Sequence, residues 1–358
     1  MNKFLNTFRA PNLLPMRMTL KKMAQELGIS VSTVSKALND HKEISQQTRD
    51  LVQAFAKQHN YRPNHMALRL KSKKTKTIGV IVPEIVHEFF SKVIRGIETI
   101  ADAEGYNVLV SVSNESYEKE VLVLQLYTEG IIDGIIMGLS GETLQKKDFE
   151  HLTEVNAQDI PLVLFDRYAP DLGVDCVRID DFQSSMTATE YLIRSGAKNL
   201  AVITTPAYMT VGEQRFRGFC SALEKNGLTV DERCVLRTEA TQKPADMELL
   251  EDQLVQMFAQ APEIEAVLGV NEYFGAAAIK VLRQMGRSIP QDVKVITFSD
   301  GILSKNTFPP MSTVSQHGEL MGRTTASILL DRMKNNPPKL PQDHIIQTEL
   351  ILRDSTGF

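Results

Sequence analysis

Five side chains on one predicted helix could carry the chemistry of this chain. They are Val31, Ser32, Thr33, Ser35 and Lys36. Short hydroxyl groups donate and accept hydrogen bonds at base edges and phosphate oxygens, and an ammonium group binds guanine or a phosphate. Such residues on one exposed face suit a helix that enters a DNA major groove. The alternative is the solvated face of an ordinary helical hairpin.

Neighbouring elements must position this helix, and residues 19–39 predict a helix, a tight turn and a second helix. Gly28 ends the first helix, since glycine tolerates the left-handed backbone that the turn requires. The small Ala24 lets the two helices approach closely. The inner faces carry apolar residues at helical spacing. These residues are Met23, Ala24, Leu27, Val34, Ala37 and Leu38. The pattern predicts a helix-turn-helix.

A third amphipathic helix is predicted over residues 44–60. Ser45 is its possible N-cap, because a hydroxyl oxygen at that position can accept from a free backbone N–H. Val52, Phe55 and Ala56 fall on its inner face. The three helices together could form a small core.

Charge is distributed unevenly along the chain. Residues 17–76 carry thirteen Lys or Arg against four Asp or Glu, a net +9, although the whole chain carries −4. Residues 1–16 add +2, so residues 77–358 carry −15. A basic segment beside an acidic body is typical of a DNA-binding module joined to a domain that does not bind DNA. The alternative is an ordinary solvated charged surface, which is enough to explain the acidic charge of residues 77–358.

From Thr77 onward, apolar strands alternate with helices. The predicted strands are residues 78–83, 106–113, 134–138, 161–166, 199–204, 265–270 and 293–299. Nearly continuous apolar strands predict parallel sheets covered on both faces. Because the strands fall into two βαβ series of similar size, we expect an α/β core of two lobes. A ligand cleft is expected at the carboxyl ends of the strands.

Polar residues follow three of these strands. They are Asp166, the pair Asn271 and Glu272, and the pair Ser299 and Asp300. Carboxylates and amides there can hydrogen-bond to sugar hydroxyls, and an aromatic ring can cover the apolar face of a sugar. We therefore expect these residues in the cleft. Asp166 could instead cap a helix or pair with Arg167.

The combination of motifs resembles the LacI/GalR family of bacterial transcription regulators. The matching features are a helix-turn-helix with TVSKALN, the YRPN turn at residues 61–64, a hinge helix over about residues 64–71 and the IGVIVP strand starting at Ile78. The resemblance extends to the end of the chain. It implies an N-terminal all-α helix-turn-helix DNA-binding domain plus hinge helix, then an α/β two-lobed core with parallel sheets, similar to periplasmic sugar-binding proteins.

The resemblance also implies domain boundaries. Residues 1–17 are expected to be a disordered extension, or to precede a true start at Met16 or Met18. The DNA-binding domain is expected over 18–63, the hinge helix and linker over 64–76, and the effector-binding and dimerisation domain over 77–358. The lobes are expected at about 77–176 with 303–336, and at about 177–302 with 337–358, so that the chain crosses between them three times.

In this family two heads of a dimer bind a near-palindromic operator, and the matching residues here are expected DNA contacts. The set is Thr19, Val31, Ser32, Thr33, Ser35, Lys36, Asn39, Arg62, Asn64, Ala67 and Leu70. Lys36 is expected at guanine, with Val31 and Ser32 at base edges. Thr33, Ser35, Asn39 and Arg62 are expected at phosphates. Leu70 is expected to wedge into the minor groove beside Ala67, although it could simply end a linker helix.

The resemblance also implies an effector set. It comprises Phe90, Asp166, Arg215, Asn271, Ser299 and Asp300. Glu272 replaces the aspartate of the usual Asn-Asp pair, and Ser299 replaces an aspartate that often binds effectors. Because a neutral hydroxyl is no charge-assisted acceptor, the resemblance names no specific sugar. Arg215 could instead form an interlobe salt bridge, and Phe90 could belong to the core.

No enzyme motif competes with this interpretation. Walker, G-x-G-x-x-G, G-x-S-x-G and H-E-x-x-H patterns do not occur at the required places, and three cysteines lack metal-type spacing. We expect a cytoplasmic homodimer without catalytic residues, metal, cofactor or membrane partner. Its partners would be operator DNA and a small sugar or sugar phosphate, or else a purine. A transport-type sugar-binding protein or a sugar-metabolising enzyme is the alternative.

Overall fold

The computed structural model describes residues 18–61, 75–169, 172–240, 244–334 and 340–357. The chain divides into two compact units, residues 1–74 and 75–358. Within the described ranges, every helix is too short or too polar to cross a membrane.

The described part of the N-terminal unit, residues 18–61, contains three helices. They are α1 (Leu20–Glu26), α2 (Val31–Leu38) and α3 (Gln46–Gln58). Each begins at a hydroxyl, of Thr19, Ser30 or Ser45, that accepts a hydrogen bond from the backbone N–H three residues later. Gly28 has a φ of 64° in the turn between α1 and α2. The buried core is Met23, Ala24, Val34, Ala37, Val52 and Ala56. The predicted helix-turn-helix is confirmed.

The second unit alternates strands with helices. Its strands are β1 (Thr77–Val82), β2 (Asn107–Val112), β3 (Gly134–Met137), β4 (Leu162–Phe165), β5 (Asp175–Ile179), β6 (Leu200–Thr204), β7 (Val235–Arg237), β8 (Ala266–Gly269), β9 (Lys294–Phe298), β10 (Ser312–Ser315), β11 (Asp343–Ile346) and β12 (Glu349–Ile351). Its helices are α4 (Glu88–Ala103), α5 (Tyr117–Thr128), α6 (Gly141–Lys146), α7 (Glu150–Ala157), α8 (Asp181–Arg194), α9 (Thr210–Lys225), α10 (Pro244–Gln260), α11 (Glu272–Gln284), α12 (Ile302–Asn306) and α13 (Gly318–Lys334).

The strands form two six-stranded sheets with the same winding. The first has the order β2-β1-β3-β4-β5-β11 and the second β7-β6-β8-β9-β10-β12. All pairings are parallel except that of β10 with β12. The two-lobed α/β prediction is confirmed, with one antiparallel edge strand that the sequence pattern did not indicate.

Sheet membership places the crossings between the lobes later than predicted. They lie at residues 179–181, 315–318 and 346–349. The predicted positions near 176, 302 and 337 are wrong, because β5, β10 and β11 each belong to the sheet that the chain is about to leave. The residue pattern of a short strand carries no signal of which sheet the strand joins. The lobe boundaries move accordingly.

Each lobe contains one pair of helices in backbone contact. A Cβ on Gly96 of α4 would lie 2.1 Å from a carbonyl oxygen of α13, and a Cβ on Gly322 of α13 would lie 2.0 Å from one of α4. A Cβ on Gly218 of α9 would lie 2.2 Å from a carbonyl oxygen of α8. No larger residue fits these positions without separating the helices, so each lobe is held as a rigid layer.

We expect Gly322→Ala to lower the free energy of unfolding by about 1–3 kcal/mol, because the added methyl group forces α13 away from α4. Urea unfolding monitored by circular dichroism measures this change. Ser327→Ala, on the exposed side of the same helix, should change it by less than about 0.5 kcal/mol. Equal unfolding midpoints for the two variants would contradict the packing argument.

Candidate functional site

The predicted DNA-reading face lies on α2 of the N-terminal unit. Val31, Ser32 and Lys36 are exposed, whereas Thr33 and Ser35 are half-buried. The Ser30 hydroxyl lies 2.7 Å from that of Ser32 and 2.8 Å from that of Thr33. The start of α2 therefore presents linked hydroxyl groups beside an apolar side chain, Val31.

Two polar side chains of this face already have partners in the protein. Lys36 forms an ion pair with Glu43, and this hydrogen bond lowers the pKa of Glu43. Asn39 donates from Nδ2 to the Ser35 carbonyl at 2.8 Å. A contact of Lys36 with DNA would have to break the ion pair. The predicted contacts Arg62, Asn64, Ala67 and Leu70 lie outside the described residues.

The second unit holds a cavity of about 590 Å³. Its wall is built from the loops that follow the carboxyl ends of strands in both sheets, where parallel α/β sheets bind ligands. Five of the six predicted effector residues line it, namely Phe90, Asp166, Arg215, Asn271 and Ser299. Phe90 is also packed edge-on against Phe165. It is therefore both a core residue and a wall residue.

In the first lobe, an ion pair fixes the wall beside Asp166. Arg167 donates to the two carboxylate oxygens of Glu115 at 2.6 and 2.8 Å, and to the Leu139 carbonyl at 2.9 Å. Burial opposes ionisation of Glu115, yet Arg167 holds its pKa below the usual value. No hydrogen-bond donor among the described residues reaches the Asp166 carboxylate, and burial raises its pKa. That carboxylate is an acceptor left for a ligand.

In the second lobe, Arg215 lies among buried acceptors. Its Nε donates to Asp181 Oδ1 at 2.8 Å and its Nη1 to the Val270 carbonyl at 2.6 Å. The guanidinium also lies over the Phe298 ring, 3.9 Å from the centroid. Burial raises the pKa of Asp181 to about 6 despite Arg215. Both residues belong to the second lobe, so this pair is not an interlobe salt bridge. Nη2 lies 2.7 Å from the same Asp181 oxygen, in the ion pair but outside hydrogen-bond geometry.

Two strand ends share an unusual backbone conformation. Asp166 follows β4 with a φ of 63°, and Ser299 follows β9 with a φ of 76°. Non-glycine residues adopt this left-handed region at an energetic cost, and such strain concentrates at ligand sites. The Ser299 hydroxyl donates to Gln316 Oε1 at 2.7 Å. Asn271 caps α11 by accepting from the Phe274 N–H at 2.9 Å, which leaves its amide nitrogen for a ligand.

The prediction that Asp300 lines the cleft is wrong. Its carboxylate forms ion pairs with Arg353 and, at 3.2 Å, with Lys305, and it is not on the cavity wall. Burial opposes ionisation, but the two cations hold the pKa of Asp300 below its usual value. Asp300 instead lines a smaller neighbouring cavity of about 250 Å³.

Two side chains of α4 reach the second lobe beside the cavity. Lys92 Nζ donates to the Asp300 carbonyl at 2.6 Å, and the Glu88 carboxylate accepts from the Ile302 N–H. These contacts join the lobes on one side of the cavity. They are bonds that a change in lobe orientation would alter.

Sequence reasoning missed several wall residues. They include Glu84, His87, Asn114, Glu115, Arg167, Tyr208, Glu239, Tyr273 and Gln316. Those after β1, β2 and β4 follow predicted strands, so the rule that found Asp166 applies to them too. Glu239 and Gln316 follow β7 and β10, two short strands that the sequence pattern does not predict. Glu115 lies two residues beyond Ser113, after a predicted strand, but no local pattern marks its pairing with the distant Arg167.

Known proteins similar to this chain agree on its family. The family model for bacterial regulatory proteins of the lacI family matches residues 19–64, and that for a periplasmic binding protein-like domain matches residues 189–356. The HTH-type transcriptional regulator RegA of Clostridium saccharobutylicum is 30% identical over 352 residues, covering 95% of this chain and 100% of that protein. The HTH-type transcriptional repressor CytR of Escherichia coli K12 is 30% identical over 338 residues, 94% of this chain and 96% of CytR.

The chain belongs to the LacI family of bacterial regulatory proteins.

Solved structures agree with this assignment. A lac repressor dimer bound to operator and the anti-inducer ONPF has a TM-score of 0.82 at 22% identity, covering 95% of this chain and 99% of that chain. It shares the fold. A transcriptional regulator CelR–cellobiose complex has a TM-score of 0.69 at 26% identity, covering 95% and 100%. The predicted family, fold class and function are confirmed: this LacI-family protein is a DNA-binding transcriptional regulator and not an enzyme.

One buried carboxyl group of this LacI-family protein, next to the wall residues Asn271 and Tyr273, has a raised pKa. Glu272 Oε1 lies 3.8 Å from His87 Nδ1. Burial and the nearby Glu88 raise the pKa of Glu272 to about 7. Burial and two arginines lower the pKa of His87 to about 4. Between these values both groups are uncharged in the folded protein.

We expect Glu272→Gln to become more stable relative to the wild type as pH rises from 5 to 8. The folded pKa of about 7 exceeds the ordinary glutamate value of 4.5, so wild-type stability is full at low pH and is lost as pH rises from the ordinary value toward 7. The difference in free energy of unfolding should grow by roughly 2–3 kcal/mol. Urea unfolding across this pH range measures it, with exposed Glu98→Gln as the control. A constant difference would contradict the assignment.

Proposed function

We propose that this regulator binds a near-palindromic operator as a homodimer and that a small sugar in the cavity of the second unit controls this binding. The observation that carries the proposal is the cavity itself, a polar and aromatic wall at the carboxyl ends of strands in both lobes of a LacI-family chain. The proposed effector contacts are Phe90, Asp166, Arg215, Asn271 and Ser299.

The wall chemistry favours a polyhydroxylated ring as the effector. No described residue donates to the Asp166 carboxylate, and the amide nitrogen of Asn271 is left as a donor, with Arg215 on the same wall. Phe90 and Tyr273 add aromatic surface. Sugars present hydroxyl groups on a ring with apolar faces, which such a wall can bind. A related chain was solved as a cellobiose complex. A purine nucleoside has a ribose ring as well, and it remains the second candidate for the effector.

The proposed dimer has a candidate surface on the first lobe. Leu109 and Val110 of β2 and Leu122 and Leu126 of α5 are exposed apolar residues. The two elements are adjacent, since the Tyr127 hydroxyl of α5 lies 2.9 Å from the Leu109 carbonyl of β2. Apolar surface of this kind marks protein interfaces. Two-fold pairing would make the two operator half-sites inverted copies.

Control would follow from lobe orientation. An effector that contacts both lobes favours the orientation in which both sets of contacts form. The interlobe bonds of Glu88 and Lys92 would change with that orientation. Because a regulator acts where the chromosome lies, we place the protein in the bacterial cytoplasm.

Selection of host genomic fragments by the full-length protein tests the proposal. We expect enrichment of a shared near-palindrome, and no enrichment by a full-length Ser32→Asp, Lys36→Glu double variant. Adding pooled neutral sugars, or separately pooled nucleosides, should change the amount of bound fragment. If the protein binds a specific DNA site and neither pool changes that binding, the effector part of the proposal is rejected.

We expect Lys36→Ala to relax preference at one base pair of each half-site, because a cation at guanine contributes about 1–3 kcal/mol of discrimination. Binding to operators with every substitution at each position measures this. Lys57→Ala on α3 is the matched control and should leave base preference unchanged. Glu43→Gln, which frees Lys36, should raise affinity for all sequences. Unchanged preference in Lys36→Ala would place this lysine at a phosphate.

Asp166→Asn should lower effector affinity by about 10- to 100-fold, because a hydrogen bond to a charged acceptor contributes about 1.5–3 kcal/mol. Operator affinity without effector should stay the same. The variant is isosteric, and asparagine tolerates the left-handed backbone. Asp159→Asn is the control, since Asp159 has a φ of 55° and is exposed. The readout is the sugar concentration that produces half of the maximal change in operator binding. Equal concentrations for Asp166→Asn and the wild type would show that Asp166 does not contact the effector.

A further inference from the structure

Acidic groups outnumber basic groups on the wall of the cavity. The carboxylates are Glu84, Glu115, Glu142, Asp166 and Glu239, and the guanidinium groups are Arg167 and Arg215. His87 adds no positive charge near neutral pH, because burial and the two arginines lower its pKa to about 4. The described residues of the wall therefore carry more acidic than basic side chains, and of these acids Glu142 is paired with Lys146, which is not on the wall.

Both arginines are already neutralised by carboxylates. Arg167 binds both oxygens of Glu115, the paired geometry with which an arginine would otherwise hold a phosphate. Arg215 binds Asp181 with Nε and a backbone carbonyl with Nη1. Neither guanidinium offers its paired donors to an anionic ligand.

Helix N-termini, the other common anion sites, are occupied by acidic residues here. Helices α4, α9 and α11 begin beside the cavity. Their first turns carry Glu88, Glu213 and Glu272, of which Glu272 is ionised only above its raised pKa of about 7. A carboxylate in the first turn takes up the favourable field of the helix dipole and repels a second anion.

We propose that the cavity selects an uncharged polyol and rejects its phosphorylated form, with Glu115 as the residue that determines this selectivity. This inference rests on the proposed function, because it names the chemical class of the effector. Glu115 acts in two ways: it occupies Arg167, and its half-buried carboxylate contributes negative charge to the wall.

The groups left for a ligand fit uncharged hydroxyls. No donor among the described residues reaches the Asp166 carboxylate, and Arg215 Nη2 has no partner with hydrogen-bond geometry, although it lies 2.7 Å from Asp181 Oδ1 in the ion pair. Gln316 uses its Oε1 for Ser299, so its amide nitrogen remains a donor. Single donors and acceptors of this kind match hydroxyl groups, each of which can donate and accept. A phosphate would bring only acceptors to a wall rich in acceptors.

Calorimetric titration of full-length protein at constant ionic strength and pH 7.5 tests the proposal. The probes are inorganic phosphate, glucose 6-phosphate and ribose 5-phosphate, with glucose and ribose as the neutral counterparts. The wild type should bind each sugar phosphate no more tightly than its counterpart. Glu115→Gln frees Arg167 and should bind inorganic phosphate at least about tenfold more tightly than the wild type. Glu118→Gln, outside the cavity and paired with Lys146, should match the wild type.

Two results would overturn the proposal. One is tighter binding of a sugar phosphate than of its neutral sugar by the wild type. The other is equal phosphate affinity of the wild type and a folded Glu115→Gln variant. If that variant does not fold, Glu239→Gln removes a second wall carboxylate at an exposed position and should show a smaller gain in phosphate affinity. No gain there would overturn the proposal equally.

A failure of the charge-selectivity proposal can be distinguished from a failure of the proposed function. Phosphate affinity is read on the protein alone, without operator DNA. A wild type that ignores every neutral sugar in the operator assay would count against the sugar effector, while the comparison of Glu115→Gln with the wild type would still measure the charge selectivity of the cavity.

Discussion

Parallel strands impose the constraint on which the ligand site depends. Strands β1 to β5 are parallel in the first lobe, and strands β6 to β10 are parallel in the second. In each lobe the carboxyl ends of these strands therefore lie along the same edge of the sheet, because crossover connections join them. Loops at that edge need not extend the sheet, so they can carry polar residues. Two such edges enclose the cavity. A wall assembled from many short loops concentrates charged and aromatic groups that no single segment contains.

Buried pairs make this wall rigid. Arg167 with Glu115 in the first lobe, and Arg215 with Asp181 in the second, join residues from different loops. Breaking such a pair would leave an uncompensated buried charge, which is strongly unfavourable. The ligand donors and acceptors therefore stand at fixed positions. The same pairing neutralises the cations, so rigidity and selectivity against anions arise from the same bonds.

The two lobes differ from the joint between them in how firmly they are held. Backbone contact at Gly96, Gly218 and Gly322 leaves each lobe little freedom. Between the lobes the chain crosses in three short segments, and side chains also meet there: Glu88 and Lys92 form hydrogen bonds, and His87 lies 3.8 Å from Glu272. Three short crossing segments are suited to hinge motion. A ligand that touches both lobes can therefore bias their orientation.

The sequence by itself determined the local elements and the family. Apolar spacing and Gly28 defined the helix-turn-helix, and strand ends identified Asp166, Asn271 and Ser299 as wall residues, since both signals are carried by neighbouring residues. Tertiary structure decided what distant segments do together. It paired Glu115 with Arg167, turned Asp300 toward Arg353, and assigned β5, β10 and β11 to their sheets. These outcomes depend on contacts between residues far apart in the chain, which no local pattern encodes.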